Sequence, residues 1–180
     1  MSGPEVVGLI SGIIAIVGAI VKVYAAATDA SGLPEAFRHV AKRLPLVQET
    51  LQAAQGQLST ANPDEAFYKG MKPVLEGCED KATRLKAIFE KVIPQADAPR
   101  MDRYLLAART LGKGDTVESL MKGILDDIQL LTGNRVTKLP TEAKIAELIR
   151  AAIQEVSAIP SSLPAGISPE STGRMKSSNQ

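Results

Sequence analysis

Apolar residues recur along most of this chain at spacings of three and four, which is the pattern of helices that bury one face. No run alternates apolar and polar positions as a half-buried strand does, and no Asn-Gly or Asp-Gly pair joins two such runs. The pattern therefore predicts an all-α fold, a bundle of five to six helices with a buried hydrophobic N-terminal helix. The clearest stripe, in the second helix, comprises Phe37, Val40, Leu44, Val47, Leu51 and Leu58.

Capping and turn residues predict where each helix begins and ends. Ser2 and Glu5 have the spacing of a capping box, so the first helix is expected to run through Val21 toward Ala27. The second helix is predicted to follow Pro34, and the third to run from an Asn62 cap to Ile93. The fourth is predicted to span Arg100–Leu111, and the fifth to run from an Asp115 and Glu118 capping pair to Gly133. The sixth is predicted to span Thr141–Ala158. Pro45 is expected to kink the second helix, and Pro73 to interrupt the third.

Two further apolar stripes and a change of composition define the predicted domain. The stripes are Val117, Leu120, Ile124, Ile128 and Leu131 in the fifth helix, and Ile145, Leu148, Ile149, Ala152, Ile153 and Val156 in the last. After the last helix, Ser, Pro, Gly and Asn replace apolar residues, which leaves little to offset the entropy of ordering. We therefore predict a helical bundle over residues 1–158 and a flexible polar tail over residues 159–180.

The first helix contains an uncharged stretch, VVGLISGIIAIVGAIV, from residue 6 to residue 21. On a helix its small or polar residues share one face, which resembles the small-xxx-small surface used between helices in lipid. We predict that this face serves self-association or lines a pore; it comprises Glu5, Gly8, Ser11, Gly12, Ala15, Gly18 and Ala19. The candidate membrane-inserting residues are the large aliphatics Val6, Val7, Leu9, Ile10, Ile13, Ile14, Ile16, Val17, Ile20 and Val21.

Several interpretations compete for this stretch. A secretory signal would need a basic leader, whereas the chain starts MSGPE. A permanent span is short, because 16 residues make a helix of about 24 Å against a hydrocarbon core of about 30 Å. Lipidation is disfavoured because Ser2 follows the initiator. We expect a core helix buried on all sides in the resting state, and a second state in which it enters a bilayer after self-association. The sequence does not distinguish a helix that is merely buried from one that is released.

Charge and chemistry exclude several functions. With 21 Lys and Arg against 20 Asp and Glu and only 3% aromatic residues, nucleic acid is not an expected partner. Gly112-Lys113-Gly114 lacks the glycine pattern of a phosphate loop, and Asp126-Asp127 is expected on a solvated face. His39 is expected to be at the surface or half-buried, and Cys78 to be a small semi-buried side chain. No catalytic residue, metal site or cofactor is predicted, so we expect a protein that is not an enzyme.

The segment GLISGIIAIVGAIVKVYAAATDASGLPEAFRHVAKRLPLVQETL and the later RTLGKGDTVESLMKGILDDIQLL resemble a known family. They are similar to SesA, the domain that precedes NACHT-type NTPase modules in fungal immune-receptor-like proteins, over about residues 5–158. The first helix, the turn at residues 31–34 and the break at residues 112–114 carry the resemblance. It implies a helical-bundle effector related to HeLo-type cell-death domains, with a first helix that disrupts membranes when the receptor nucleates assembly.

The expected function is therefore that of a cell-death or immune signalling effector that self-associates and targets or permeabilises membranes. The expected partners are copies of itself, membrane lipids and an NLR-like receptor or its N-terminal domain. The expected location is the cytoplasm, with movement to the plasma membrane on activation. The alternative is a non-lytic adaptor whose first helix never leaves the core. No NTPase follows the resembling segment, so we expect either an excised receptor domain or a free-standing effector.

Overall fold

The computed structural model describes residues 3–27, 32–61, 63–94, 99–133 and 140–163. These residues form six helices and no strand, which confirms the predicted all-α class. Three predicted features lie outside the described residues: the capping residue Ser2, the Asn62 cap and residue 31 of the turn at residues 31–34. The helices are α1 (Gly3–Ala25), α2 (Glu35–Ala61), α3 (Glu65–Val92), α4 (Arg100–Thr110), α5 (Val117–Gly133) and α6 (Pro140–Ser157).

Four of the helices form a ring around the hydrophobic core. In the order α1, α2, α5, α3, each packs against the next, and α3 closes the ring against α1. Helix α6 packs on the outside of the ring against α5 and α2, while the short α4 packs against α3. Gln55 near the end of α2 bonds to the start of α1, so these two helices are antiparallel. Glu5 near the start of α1 pairs with Lys72 in the first half of α3, so those two are parallel.

The predicted stripes of α2 and α5 are the faces that the ring buries. Every member of both stripes is buried, from Phe37 to Leu58 in α2 and from Val117 to Leu131 in α5. In α6, Ile149, Ala152 and Val156 are buried, but Leu148 is 47% exposed. The predicted α6 stripe was too wide because this helix contacts the ring from outside and buries only a narrow face.

Helices α2 and α3 run without a break through Pro45 and Pro73. The prediction that Pro73 interrupts α3 is therefore wrong. Both prolines lie on the exposed side of their helices, and the neighbouring Leu44, Leu46 and Val74 keep their contacts with the core. A missing backbone hydrogen bond on the solvent side costs the helix less than the loss of its buried contacts would.

Two helix caps differ from those predicted. The side chain of Asp64, not Asn62, accepts a hydrogen bond of 3.0 Å from the Phe67 amide at the start of α3. At the start of α5 the reciprocal cap joins Thr116 and Ser119, whose amides each donate to the other's hydroxyl oxygen. The predicted pair is engaged elsewhere, because Asp115 pairs with Arg84 of α3 at 2.7 Å and Glu118 binds Ser162.

The break between α4 and α5 is built on backbone geometry that glycine permits. Lys113 and Gly114 have φ of 54° and 95°, in the left-handed region. A Cβ on Gly112 would lie 2.6 Å from the Asp115 carbonyl oxygen, so no larger residue fits there. The Gly112 and Gly114 amides donate to the Ala107 and Ala108 carbonyls, which leaves them unavailable to a phosphate. The glycines therefore serve a tight helix end.

The chain beyond α6 packs back onto the bundle. Ile159 is half-buried, and Ser162 and Leu163 are buried, although residues 159–180 were predicted to form a flexible tail. Two apolar contacts and the hydrogen bonds of Ser162 to Glu118 stabilise residues that composition alone marked as unpacked. Residues 164–180 lie outside the described part of the chain.

An ion pair of low exposure joins α3 to α5. Lys81 Nζ lies 2.7 Å from Asp127 Oδ2, with side chains 29% and 15% exposed. A Cβ on Gly123 would lie 2.7 Å from Lys81 Cδ, so this glycine admits the lysine stem. Asp126, next along the chain, instead pairs with Lys122 on the same helix, at 3.1 Å and in a more exposed position. The solvated face predicted for the two aspartates therefore holds for Asp126 and not for Asp127.

This difference predicts unequal effects of matched substitutions. Asp127→Asn leaves Lys81 partly buried without its counter-charge and should lower the free energy of unfolding by about 1–3 kcal/mol. Asp126→Asn removes an exposed pair within one helix and should change it by less than about 0.5 kcal/mol. Urea unfolding followed by circular dichroism measures both, and equal effects would contradict the assigned role of Asp127.

Candidate functional site

The candidate site is α1, whose packing in the ring follows one narrow stripe. Its fully buried side chains succeed one another at steps of four and three residues, as in a coiled-coil seam; they are Val6, Ile10, Ile13, Val17 and Ile20. Leu51 of α2 and Leu75 and Ala82 of α3 are among the buried residues of the same core. The stripe seals one side of the ring between α2 and α3.

The other five candidate membrane-inserting residues are only half-buried; they are Val7, Leu9, Ile14, Ile16 and Val21. Of the most apolar 18-residue stretch of α1, 28% is buried. The expectation that the first helix is buried on all sides is therefore wrong. The reason lies in the ring, where α5 packs against α2 and α3 and is diagonal to α1, so that nothing in the described chain covers the outward side of α1.

The small and polar residues predicted to share a face do share one, and it points outward. Glu5, Gly8, Ser11 and Ala15 are exposed, and Gly12, Gly18 and Ala19 are half-buried. A Cβ on Gly8 would meet no atom within 4 Å, so the packing of this state does not require glycine there. No charge occurs between Glu5 and Lys22. The structure thus brings all seven residues together on a helix surface that meets solvent and carries no charged side chain between Glu5 at its start and Lys22 beyond its end.

Polar side chains from the two neighbouring helices border this outward face. On the α2 side, Gln55 Nε2 donates to the Val7 carbonyl at 3.2 Å and to the Ser11 hydroxyl, and Gln48 lies beside Gly18. On the α3 side, Lys72 Nζ lies 3.8 Å from Glu5 Oε2, and the Glu79 carboxylate lies beside Gly12.

Sequence reasoning missed these four residues because they lie on other helices. A signal was present, since Gln48 and Gln55 are seven residues apart, as are Lys72 and Glu79, and each directly follows a buried residue. Seven residues are nearly two helical turns, so each pair lies along the rim of a buried stripe. Pairs at this spacing mark the edge of a helix interface, although they do not say which helix occupies it.

The length of α1 corrects the earlier estimate for a membrane span. The helix has 23 residues, and it is long and apolar enough to cross a membrane by length and composition alone. At 1.5 Å per residue it measures about 35 Å, which exceeds the hydrocarbon thickness. The 16-residue estimate left out the flanking turns at Gly3–Glu5 and Lys22–Ala25, which continue the helix.

The remaining candidate side chains are held in structural contacts. His39 is half-buried, with Nε2 3.8 Å from Glu35 Oε1. Cys78 is fully buried rather than semi-buried, and burial, followed by the nearby Asp127 carboxylate, raises the pKa of its thiol to about 12. Among the described residues, no three His, Cys, Asp or Glu side chains come together to hold a metal ion.

Comparison with known proteins gives one match. The family model SesA, described as the N-terminal domain on NACHT NTPases and P-loop NTPases, matches residues 10–131. This range includes most of α1 and α5 and all of the helices between them, so it covers the ring. No curated protein and no solved structure matches the chain significantly.

The raised pKa of Cys78 predicts an alkaline effect on stability. The folded state keeps the thiol protonated up to a pKa of about 12, whereas an unfolded thiol ionises near 9.0. The group therefore contributes its full stability below pH 9 and loses it as the pH rises toward 12, by about 1.4 kcal/mol for each unit at most. Urea unfolding at pH 8 to 11 should show a steeper loss for the natural chain than for Cys78→Ala. Parallel slopes would contradict the assigned burial.

Proposed function

This chain belongs to the SesA family of domains that precede NACHT and other P-loop NTPases, and from that premise we propose that it acts on membranes through α1. Family membership makes it a signalling domain associated with NLR-like receptors. The proposed activity is that of a cell-death or immune effector. In this proposed activity, several copies assemble, α1 leaves the ring of each copy, and the released helices enter the plasma membrane. The proposed resting location is the cytoplasm, and the mechanism uses no catalytic residue.

The single observation that carries the proposal is the outward face of α1, which has no charged side chain between Glu5 and Lys22. A surface helix in a water-soluble bundle normally carries charges opposite its buried stripe. Helix α3 does so, with Lys69, Glu76 and Asp80 exposed. Helix α1 instead exposes Gly8, Ser11 and Ala15 and leaves half of its large aliphatics partly accessible. Such a composition suits lipid and close helix contact better than it suits water.

Energetics favour a helix that stays in the ring until assembly occurs. Full burial of a Val, Leu or Ile side chain is worth about 1.5–3 kcal/mol. Transfer of the same residue into the bilayer centre is worth only about 0.3–0.6 kcal/mol on an insertion scale. A single copy therefore gains too little from lipid to offset the loss of the buried stripe. Contacts between copies along the Gly8 to Ala19 face must supply the remainder, which makes self-association the proposed trigger.

The polar contacts at the rim of α1 are weak by comparison. The pair between Glu5 and Lys72 is exposed and separated by 3.8 Å, a geometry that typically contributes little to stability. Gln55 contributes two hydrogen bonds at a position accessible to water. These groups fix the register of α1 on α2 and α3, while the aliphatic stripe supplies most of its retention. Release of α1 is therefore controlled by the contacts, with lipid and between copies, that replace the burial of its aliphatic stripe.

An adaptor function is the second candidate, and the five fully buried residues of α1 favour it. In that function α1 stays in the ring, which presents its surface to an NLR-like receptor. The two functions differ in one measurable respect, because only the membrane effector makes vesicles leak.

The test is dye release from phosphatidylcholine vesicles with and without phosphatidylserine, using the chain alone and the chain fused to an oligomerising scaffold. We expect leakage that rises steeply with protein concentration and is strongest for the scaffold fusion. Gly8→Leu with Gly12→Leu should reduce leakage at least roughly tenfold, because bulky side chains prevent close packing between copies. Its melting temperature should stay near that of the natural chain, because Gly8 faces open space and Gly12 meets only the mobile end of Glu79.

A matched control places the same side chains on other helices. Gly56 in α2 and Gly70 in α3 are exposed helical glycines with no atom within 4 Å of an added Cβ. Gly56→Leu with Gly70→Leu should therefore leave leakage unchanged. Vesicles that stay sealed even with the scaffold fusion would contradict the membrane proposal and support the adaptor. Equal loss of leakage in both double variants would contradict the assigned role of the α1 face.

A further inference from the structure

Residues 158–163, called the strap here, are tied to the corner between α4 and α5. The Ser162 amide donates to Glu118 Oε2 at 2.8 Å, and its hydroxyl donates to Oε1 of the same carboxylate. The Ser162 hydroxyl also meets the hydroxyl of Tyr104, which accepts a 3.0 Å hydrogen bond from the Val117 amide at the start of α5. Leu163 is buried beside these contacts. The strap thus completes a polar network in which Ser162 joins the Glu118 carboxylate to the buried Tyr104 hydroxyl.

A row of aromatic side chains leads from this network to α1. The Tyr104 ring is fully buried and meets the Phe37 ring edge to face, with centroids 4.9 Å apart. Phe37 in turn lies 5.0 Å from Phe89, and Phe89 lies 6.4 Å from Tyr24 in the last turn of α1. Four of the six aromatic residues of the chain therefore form one continuous row. It joins the strap to the C-terminal end of α1 at one end of the bundle.

We propose that the strap is a coupling element that holds the C-terminal end of α1 in the ring through Tyr104, Phe37, Phe89 and Tyr24. Withdrawal of the strap removes Ser162 from the Tyr104 hydroxyl, which keeps only its bond from the Val117 amide, and uncovers the Tyr104 ring. A close-packed interior transmits such a change because each ring rests on the next and no void absorbs the shift. Tyr24 then loses support, and α1 loosens from its last turn. The proposal rests on the proposed function in that loosening α1 serves its release.

The position of the strap indicates what would pull it. In the SesA family the NTPase lies C-terminal to this domain, and the strap is the described segment that leads in that direction. Where such an NTPase follows the domain, a rearrangement of the NTPase reaches the strap before it reaches the rest of the bundle. Since Ser162 is bound by one carboxylate and one phenol, a small displacement breaks all of its side-chain contacts together. The coupling device thus turns a pull on the chain into a change at α1.

Two variants remove the contact between Ser162 and Tyr104 while they keep all four rings of the row. Ser162→Ala removes the hydroxyl contacts to Tyr104 and Glu118, and Tyr104→Phe removes the phenol while it keeps the ring against Phe37. In the full chain without lipid, each should raise amide hydrogen exchange at residues 20–25 roughly tenfold, and that at residues 6–12 less. At residues 20–25 the double variant should exchange little faster than the faster single variant, because both substitutions remove the Ser162–Tyr104 contact and Tyr104→Phe also removes the acceptor of the Val117 amide.

A control separates coupling from general loss of stability. Leu131 is buried at the far end of α5, near Thr50 and Ala54 and away from the aromatic row. Leu131→Ala should lower the melting temperature at least as much as Ser162→Ala, yet leave exchange at residues 20–25 close to its natural rate. Exchange at residues 20–25 that is unchanged in the strap variants, or raised equally by Leu131→Ala, would overturn the proposal.

Introducing a charge at Ser162 tests its contact with Glu118 independently. Ser162→Asp places a carboxylate against Glu118 and should expel the strap more completely than Ser162→Ala does, with faster exchange at residues 20–25. Glu118→Gln in the same chain removes the repulsion and should return exchange toward the Ser162→Ala level; no recovery would contradict the assigned contact.

These measurements need no membrane, so their outcome is independent of vesicle leakage. Raised exchange at α1 without any leakage would retain the coupling and reject the membrane function. Leakage with unchanged exchange would reject the coupling alone.

Discussion

Burial of one aliphatic stripe of α1 between α2 and α3 is the interaction on which the rest of the structure depends. In the described part of the chain, the ring of four helices has no other closure on that side, because α5 lies diagonally opposite and α6 packs outside the ring. If α1 leaves, the buried faces of α2 and α3 lose their cover. The same five side chains therefore decide whether the domain is a closed bundle or an open one with an apolar groove.

The outward side of α1 differs from its buried stripe in composition and in packing. Its small, uncharged residues contribute little to the resting bundle, as the open space around Gly8 illustrates. A helix that is apolar on every side suits either complete burial or lipid, and the ring offers it burial on one side only. This mismatch is the physical basis of our proposal that the SesA domain rests closed and changes state when several copies meet.

The two ends of the bundle hold α1 by different means. Near its start, exposed polar contacts from Gln55 and Lys72 set its register and are readily exchanged for water. Near its end, Tyr24 adjoins a buried aromatic row that reaches the strap. Displacement of the strap would affect the Glu118 contact and the packed rings together, whereas each surface contact of Gln55 or Lys72 can break without the other. The end of α1 is therefore the place at which the proposed coupling to the strap acts.

Periodicity alone determined the all-α class, the buried faces of α2 and α5, and the single face shared by Gly8, Ser11 and Ala15, because side-chain direction on a helix follows from residue spacing. Only the tertiary structure decided that this face points to solvent, that Pro73 lies inside a continuous helix, and that Glu118 binds the strap rather than capping α5. It also supplied Gln55, Lys72 and the aromatic row. Each of these features depends on which distant segment of the chain packs against the helix. A local pattern shows whether a helix face is apolar or polar, but it does not show which segment contacts that face.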